Sequence, residues 1–304
     1  IVDTATIIYQ IKDLDISNII QNIQILTNTK AEIESKKYIF RKINLLELGW
    51  INFISVTEKR KKVFITITYS YTKYHFKDNY KLVSRQKQIE EVHKSLINIL
   101  RAITGKLIQI NEIDIGAIDI SNQLAVDNIR NYYNVLDIIY RAYKNINPNG
   151  RLYFDTDKDK RKQLDGLDFR ERGKKRRESS NYFKIYSKRK EIEDTKGHSA
   201  ALGKATALRG ELTLKGHILS KYNLNKLVGI HKDNLERVLQ NTLAEMLIQQ
   251  INKELEKNID TLTKEALKGT SRLRERIQAL EYFVFDIKLL DVVLTEENLK
   301  IKKR

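Results

Sequence analysis

Trp50-Ile51-Asn52-Phe53-Ile54-Ser55-Val56 and Val63-Phe64-Ile65-Thr66-Ile67-Thr68-Tyr69-Ser70-Tyr71 decide how this chain folds. In the second stretch Val63, Ile65, Ile67 and Tyr69 alternate with Phe64, Thr66, Thr68 and Ser70, the period of two that marks a strand with unlike faces. The connection, Glu58-Lys59-Arg60-Lys61-Lys62, is wholly charged and must be exposed. Together they read as a long antiparallel hairpin. Upstream, Ile1 to Gln10 reads as a strand. A helix follows from about Ser17, which can cap it, with Ile19, Ile20, Ile23 and Leu26 at helical spacing. Downstream, Arg85 to Thr104 carries Ile89, Val92, Leu96 and Leu100 on one helical face and stops at Gly105. Leu107 to Ser121 reads as a strand and Gln123 to Lys144 as a helix. This β-α-β order with antiparallel hairpins predicts an α+β fold, a central antiparallel sheet flanked by helices.

Asn145 to Ser180 reads as a long loop with one apolar island, Leu152-Tyr153-Phe154, and loops of that length tend to be functional or disordered. Strands are expected at Tyr182 to Lys188 and at Leu208 to Lys215. From Leu235 a stripe of Leu239, Leu243, Leu247, Ile251, Leu255 and Ile259 predicts a long amphipathic helix. A boundary near residue 225 thus separates a mixed domain, 1–225, from a helical C-terminal domain, 226–304.

Composition narrows the function. The sequence has 304 residues, and its 41% hydrophobic content excludes wholesale disorder. With no cysteine, disulfides, thiolate zinc sites and a cysteine nucleophile are all excluded. No apolar run of about 18 residues is present to span a bilayer, and Ile1-Val2-Asp3-Thr4 lacks the layout of a secretory signal, so a cytoplasmic location without a membrane partner is expected. The 56 Lys and Arg against 39 Asp and Glu leave a formal charge of +17. Such an excess is most often tolerated for a polyanionic partner, nucleic acid first and an anionic membrane face second. The charge clusters at Arg172, Lys174, Lys175, Arg176 and Arg177, then at Lys184, Lys188, Arg189 and Lys190. A run of this kind is often only a solvated loop.

Three segments could carry chemistry. In Asn111-Glu112-Ile113-Asp114-Ile115-Gly116-Ala117-Ile118-Asp119-Ile120, acids within a strand of isoleucines are costly unless they stay wet, pair with a base or bind a hard cation such as Mg²⁺ or Mn²⁺. Asp114 shares a face with Glu112 if the strand is regular, and Asp119 falls on the other. In Leu208-Arg209-Gly210-Glu211-Leu212-Thr213-Leu214-Lys215, Glu211, Thr213 and Lys215 project together, as they would in any half-buried strand. In Ser179 to Lys190, alternation puts Tyr182, Lys184, Tyr186 and Lys188 on one face and Phe183 with Ile185 on the other. A tyrosine beside lysines suits a nucleophile, since positive charge favours the phenolate. The same spacing suits stacking on single-stranded bases or plain sheet packing.

In order and type these segments resemble the rolling-circle replication initiators of small plasmids and filamentous phages, a branch of the HUH-type nicking endonucleases. The densest match is Ser180-Asn181-Tyr182-Phe183-Lys184-Ile185-Tyr186-Ser187-Lys188-Arg189-Lys190-Glu191, where the family has a Tyr-x-Lys. The resemblance implies that Tyr186 is the nucleophile and Lys188 its electrostatic helper. It maps a metal-binding glutamate onto Glu211 and an acid of an earlier strand onto Asp114, with Asp119 as a further candidate ligand. The opening Asp3-Thr4-Ala5-Thr6-Ile7 is similar to the start of the phage-type members. Glu112 stands where an Arg is common. No His-hydrophobe-His triplet occurs among His75, His93, His198, His217 and His231, so that part of the superfamily metal site does not carry over, and His75 is left as a candidate third ligand.

The resemblance implies a metal-dependent transesterification with Mg²⁺ or Mn²⁺. Tyr186 would nick a single-stranded or extruded origin, leaving a 5′-phosphotyrosine and a 3′-hydroxyl for the polymerase of a prokaryotic host. Tyr182, Lys184 and the basic run would bind DNA, and a host helicase and a second copy of the chain are further expected partners. A relaxase of a mobilisable element would use the same chemistry. A DNA-binding protein without catalysis would use the tyrosines only for stacking. For the helical C-terminal region, dimerisation or duplex contact stands beside a self-contained bundle, and Arg272, Arg274 and Arg276 suit either.

Overall fold

Apolar alternation starts the fold in strand β1 (Val2–Lys12), where Ala5, Ile7, Tyr9 and Ile11 are all buried. In the computed structural model the described residues are 1–12, 15–45, 49–77, 80–126, 151–156, 162–170, 181–189, 191–192 and 206–243. The chain divides into two units: Ile1–Ile120 with Thr213–Glu236, and Ser121–Leu212 with Arg237–Arg304.

In the first unit β1 is followed by α1 (Ile16–Thr27), β2 (Glu32–Glu34), β3 (Lys37–Leu45), β4 (Gly49–Lys59), β5 (Lys62–Ser70), α2 (Tyr71–Phe76) and α3 (Gln86–Thr104), then by the start of β6 (Asp114–Val126). The strand order is β2-β3-β4-β5-β1-β6, with every pair antiparallel. Ala5 lies opposite Tyr69, Ile7 opposite Ile67, Tyr9 opposite Ile65 and Ile11 opposite Val63, so one buried face is built from matched rows. Onto this core α3 turns Ile89, Val92, Leu96, Ile99, Leu100 and Ile103, and α1 turns Ile19 and Ile23. Each such side chain contributes roughly 1.5–3 kcal/mol by leaving water. Asn22 Nδ2 on α1 donates to the Ile103 carbonyl of α3 at 2.8 Å. Gly105 ends α3 in the left-handed region at φ +66°, where its N–H reaches the Arg101 carbonyl at 2.8 Å.

In the second unit β7 (Arg151–Thr156), β8 (Lys162–Arg170) and β9 (Asn181–Ser187) form an antiparallel series. β10 (Thr206–Lys215) lies between β9 and β6. The chain closes its described part with α4 (His217–Lys221) and α5 (Lys232–Leu243). The α+β architecture with an antiparallel sheet is therefore as expected.

Several local expectations are corrected. The cap of α1 is Asp15 and not Ser17: its Oδ1 accepts the Ser17 N–H at 2.9 Å. Asp and Ser serve equally as caps, and the helix begins one residue earlier than the apolar stripe suggests. Pairing of the β4–β5 hairpin continues to Lys59 and Lys62, leaving Arg60-Lys61 as its turn. Glu112 sits in a 3₁₀ turn, Ile110–Glu112, so it is not on the strand with Asp114. Residues 123–126 continue β6 where a helix was expected to begin. The loop expected from Asn145 to Ser180 holds β7 and β8 instead, and the apolar island Leu152-Tyr153-Phe154 belongs to β7. Most of the 226–304 region, including Arg272, Arg274 and Arg276, lies outside the described residues. Among the described residues no helix is long and apolar enough to cross a membrane.

Candidate active site

β9 delivers the basic aromatic stretch as its pattern demands. Phe183 and Ile185 are buried, and Tyr182, Lys184 and Tyr186 between them are only half-buried. β8 sets the register: Gly166 lies opposite Tyr186, Asp168 opposite Lys184 and Arg170 opposite Tyr182.

β10 is buried on both faces over Ala207 to Leu214, including Arg209, Glu211 and Thr213. A polar side chain in that position needs a partner. Each has one. Arg209 donates to Gln123 Oε1 through Nη2 at 2.7 Å and Nε at 3.1 Å. Thr213 Oγ1 donates to Asp119 Oδ1 at 2.6 Å. Glu211 receives two donors from β9: Lys184 Nζ reaches Oε1 at 2.8 Å, and the Tyr186 hydroxyl reaches Oε2 at 2.9 Å.

This makes Glu211 the hub of the second unit's site. Burial pushes its carboxyl up, but the Lys184 charge, the hydrogen bonds from Lys184 and Tyr186, and the Lys188 charge outweigh burial and hold it below the usual carboxylate range. It is therefore an anion at neutral pH. Lys184 Nζ also stands 5.2 Å from the centre of the Tyr182 ring, and Lys188 Nζ stands 5.7 Å from that of Tyr186. Lys188 follows the end of β9, and its side chain, 1% exposed, pairs with Glu191 at 2.5 Å. An anion, a phenol and two ammonium groups thus meet along one strand and its neighbour.

The other sequence candidates are placed elsewhere. Asp114, in the first unit, pairs with Lys226 at 2.6 Å, and both side chains are well exposed. Asp119, also in the first unit, is the acceptor for Thr213. His75 lies in α2, where Nε2 is 2.8 Å from the Gln88 carbonyl oxygen. Arg189 is half-buried. Arg172, Lys174, Lys175, Arg176, Arg177 and Lys190 lie outside the described residues. No group of three or more His, Asp or Glu suited to a cation occurs among the described residues, and both Glu211 oxygens already accept from protein donors. As placed, these side chains do not form a ready cation site.

Sequence reasoning missed two features. It assigned Lys184 to DNA and did not foresee that the same ammonium holds Glu211. It also read β10 as half-buried, overlooking that Arg209, Glu211 and Thr213 recur at period two opposite leucines, a pattern equally suited to a central strand with a paired polar face.

No family model matches the chain, and no curated protein matches it. Among solved structures it is similar to the crystal structure of the di-domain ARO/CYC StfQ from the steffimycin biosynthetic pathway, at 9% identity, over 83% of this chain and 95% of that one, with a TM-score of 0.22. A likeness that slight carries no argument about fold or function.

Proposed function

We propose that the chain is a DNA-nicking and religating enzyme of the rolling-circle initiator kind, with Tyr186 as nucleophile. One observation carries this reading: the Tyr186 hydroxyl donates to Glu211, an anion that Lys184 also holds, while the Lys188 ammonium stands over the same ring. Tyr186 Oη attacks the scissile phosphorus, the P–O3′ bond breaks, and the products are a 5′-phosphotyrosine and a free 3′-hydroxyl. The phenolic proton leaves along the hydrogen bond to Glu211 Oε2, and solvent protonates the departing 3′ oxygen. A carboxylate held below its ordinary range is a weak base, so its larger contribution is to fix the direction of the phenol. The two ammonium groups offset charge that builds on the phenol oxygen and the phosphate. A divalent metal, expected from the resemblance, enters as an arm of the test. The exposed 3′-hydroxyl would prime a host polymerase.

The test uses labelled single-stranded oligonucleotides that tile the replicon carrying the gene, incubated with the protein in Mn²⁺, Mg²⁺ or EDTA and then denatured. A labelled protein band is expected in at least one arm. Tyr186→Phe should abolish it, and Tyr182→Phe should leave it. If the Tyr186→Phe band equals that of the parent, the nucleophile assignment is wrong. If DNA is retained without any covalent band, a binding module takes the place of the enzyme.

A further inference from the structure

We infer that the hairpin-tip end of the first unit's sheet is a docking surface for the phosphate backbone of duplex DNA, separate from the Tyr186 site and operating without cleavage. The register builds this surface. Lys59 lies opposite Lys62, and Lys62 lies opposite Lys12 on its other side, so three strand ends place a row of lysines across β4, β5 and β1. Like charges directly opposed across strands are destabilising. Lys106 extends the row, its Nζ donating to the Lys12 carbonyl at 3.3 Å. On the other flank Lys37 lies opposite Thr57, two residues from Lys59, and brings the β2–β3 turn to the same end. None of these lysines forms an ion pair among the described residues, and all but the half-buried Lys62 are exposed. Among the described residues the carboxylates at this end are Glu34, paired with Arg41 at 2.7 Å, the exposed Glu58, and Asp15, three residues past Lys12, whose Oδ1 accepts the Ser17 N–H at 2.9 Å.

Backbone strain is the second, independent observation. The β4–β5 turn consists of Arg60 at φ +50° and Lys61 at φ +60°, and the β2–β3 turn of Ser35 at φ +47° and Lys36 at φ +66°. Two-residue turns with both residues left-handed prefer Asn-Gly or Asp-Gly, because a bulky side chain is disfavoured there. Long cations therefore occupy three of these four turn positions, where small residues would be more stable, and Ser35 holds the fourth. Packing does not explain this, since the side chains of Arg60, Lys61 and Lys36 are exposed. A bound polyanion does, by relieving both the opposed lysines and the isolated charge at the tips. DNA fits better than a membrane because neither turn, Glu34 to Lys37 or Glu58 to Lys62, carries an apolar residue to insert among lipids, and the exposed Ile33 and Leu107 that flank the surface are single residues.

The experiment separates this surface from the nicking chemistry by using Tyr186→Phe as the parent. Fluorescence anisotropy measures binding of a 20-base-pair duplex from low to high salt, and thermal unfolding is followed in parallel. Arg60→Asn with Lys61→Gly, which installs the preferred turn, is expected to raise the unfolding midpoint. It should also weaken the duplex at least about tenfold at 0.1 M salt and make the slope of log affinity against log salt shallower by about 1.8, at about 0.9 for each lost phosphate contact. Lys59→Gln should weaken binding in the same direction without touching the turn. An unchanged duplex affinity and slope in both variants overturns the inference. So does preferential binding to vesicles of mixed neutral and anionic phospholipid that the duplex does not compete away.

Discussion

Glu211 and His93 are both buried and ionisable, and they respond to acid for opposite reasons. Glu211 is held below the usual range by its cationic and hydrogen-bonding partners against the pull of burial, so its contribution is fully present above the ordinary carboxylate pKa and is lost as pH falls through the lowered value. Glu211→Gln leaves Lys184, still partly exposed, without its counter-ion, and is expected to cost roughly 1–3 kcal/mol in denaturant unfolding at pH 7. His93 is pushed down to about 4 by burial, with Glu90 opposing, and its Nε2 meets the Tyr71 hydroxyl at 3.1 Å. Burial likewise pushes the Tyr71 hydroxyl well up, so the pair stays neutral. Between about 6.5 and 4 the unfolded chain binds the extra proton. Stability is therefore complete above about 6.5 and falls as pH drops through that window, by about 2 kcal/mol between pH 7 and pH 5. Denaturant titrations at both pH values should show this slope in the parent and a flattened one in His93→Gln. An identical slope in the variant would remove His93 as its source.

Among elements, β10 and the 3₁₀ turn Leu227–Gly229 show how strongly packing constrains this sequence. β10 can be buried on both faces because every polar residue on it that the site uses is matched by a donor or acceptor on β6 or β9. Gly229 is constrained by backbone: a Cβ there would collide with the Asn223 carbonyl oxygen. Its own carbonyl accepts from Asn234 Nδ2 at 2.9 Å, tying the turn to α5. Gly229→Ala should destabilise the fold by roughly 2 kcal/mol or more, seen as an earlier denaturant midpoint with an unchanged slope. Equal midpoints would mean that the turn yields freely. The strands missed from sequence are β2, β3, β7 and β8. In β2, Glu32-Ile33-Glu34 is exposed along its length, so no apolar alternation announces it, and it is a strand because β3 offers it hydrogen bonds.

Across the whole molecule the formal charge of +17 is the dominant long-range term. Its self-repulsion is screened over about 10 Å at 0.1 M salt and over about 3 Å at 1 M, so the unfolding midpoint should rise between 0.05 and 0.5 M NaCl. Duplex binding at the hairpin tips should weaken over the same range, and a midpoint that falls with salt would contradict this account of the charge. The sequence by itself determined which residues alternate, and so the antiparallel sheet of β1, β4, β5 and β9, the amphipathic α1 and α3, the stop at Gly105 and the aromatic-basic face around Tyr186. These follow from local periodicity, which a chain carries wherever it goes. Only the tertiary structure decided that Lys184 and Tyr186 meet at Glu211, that Asp114 and Asp119 pair elsewhere, and that Lys12, Lys59 and Lys62 meet at one end of their strands. Such meetings depend on strand order and register between distant segments, and no period within a single segment encodes which neighbour it will find.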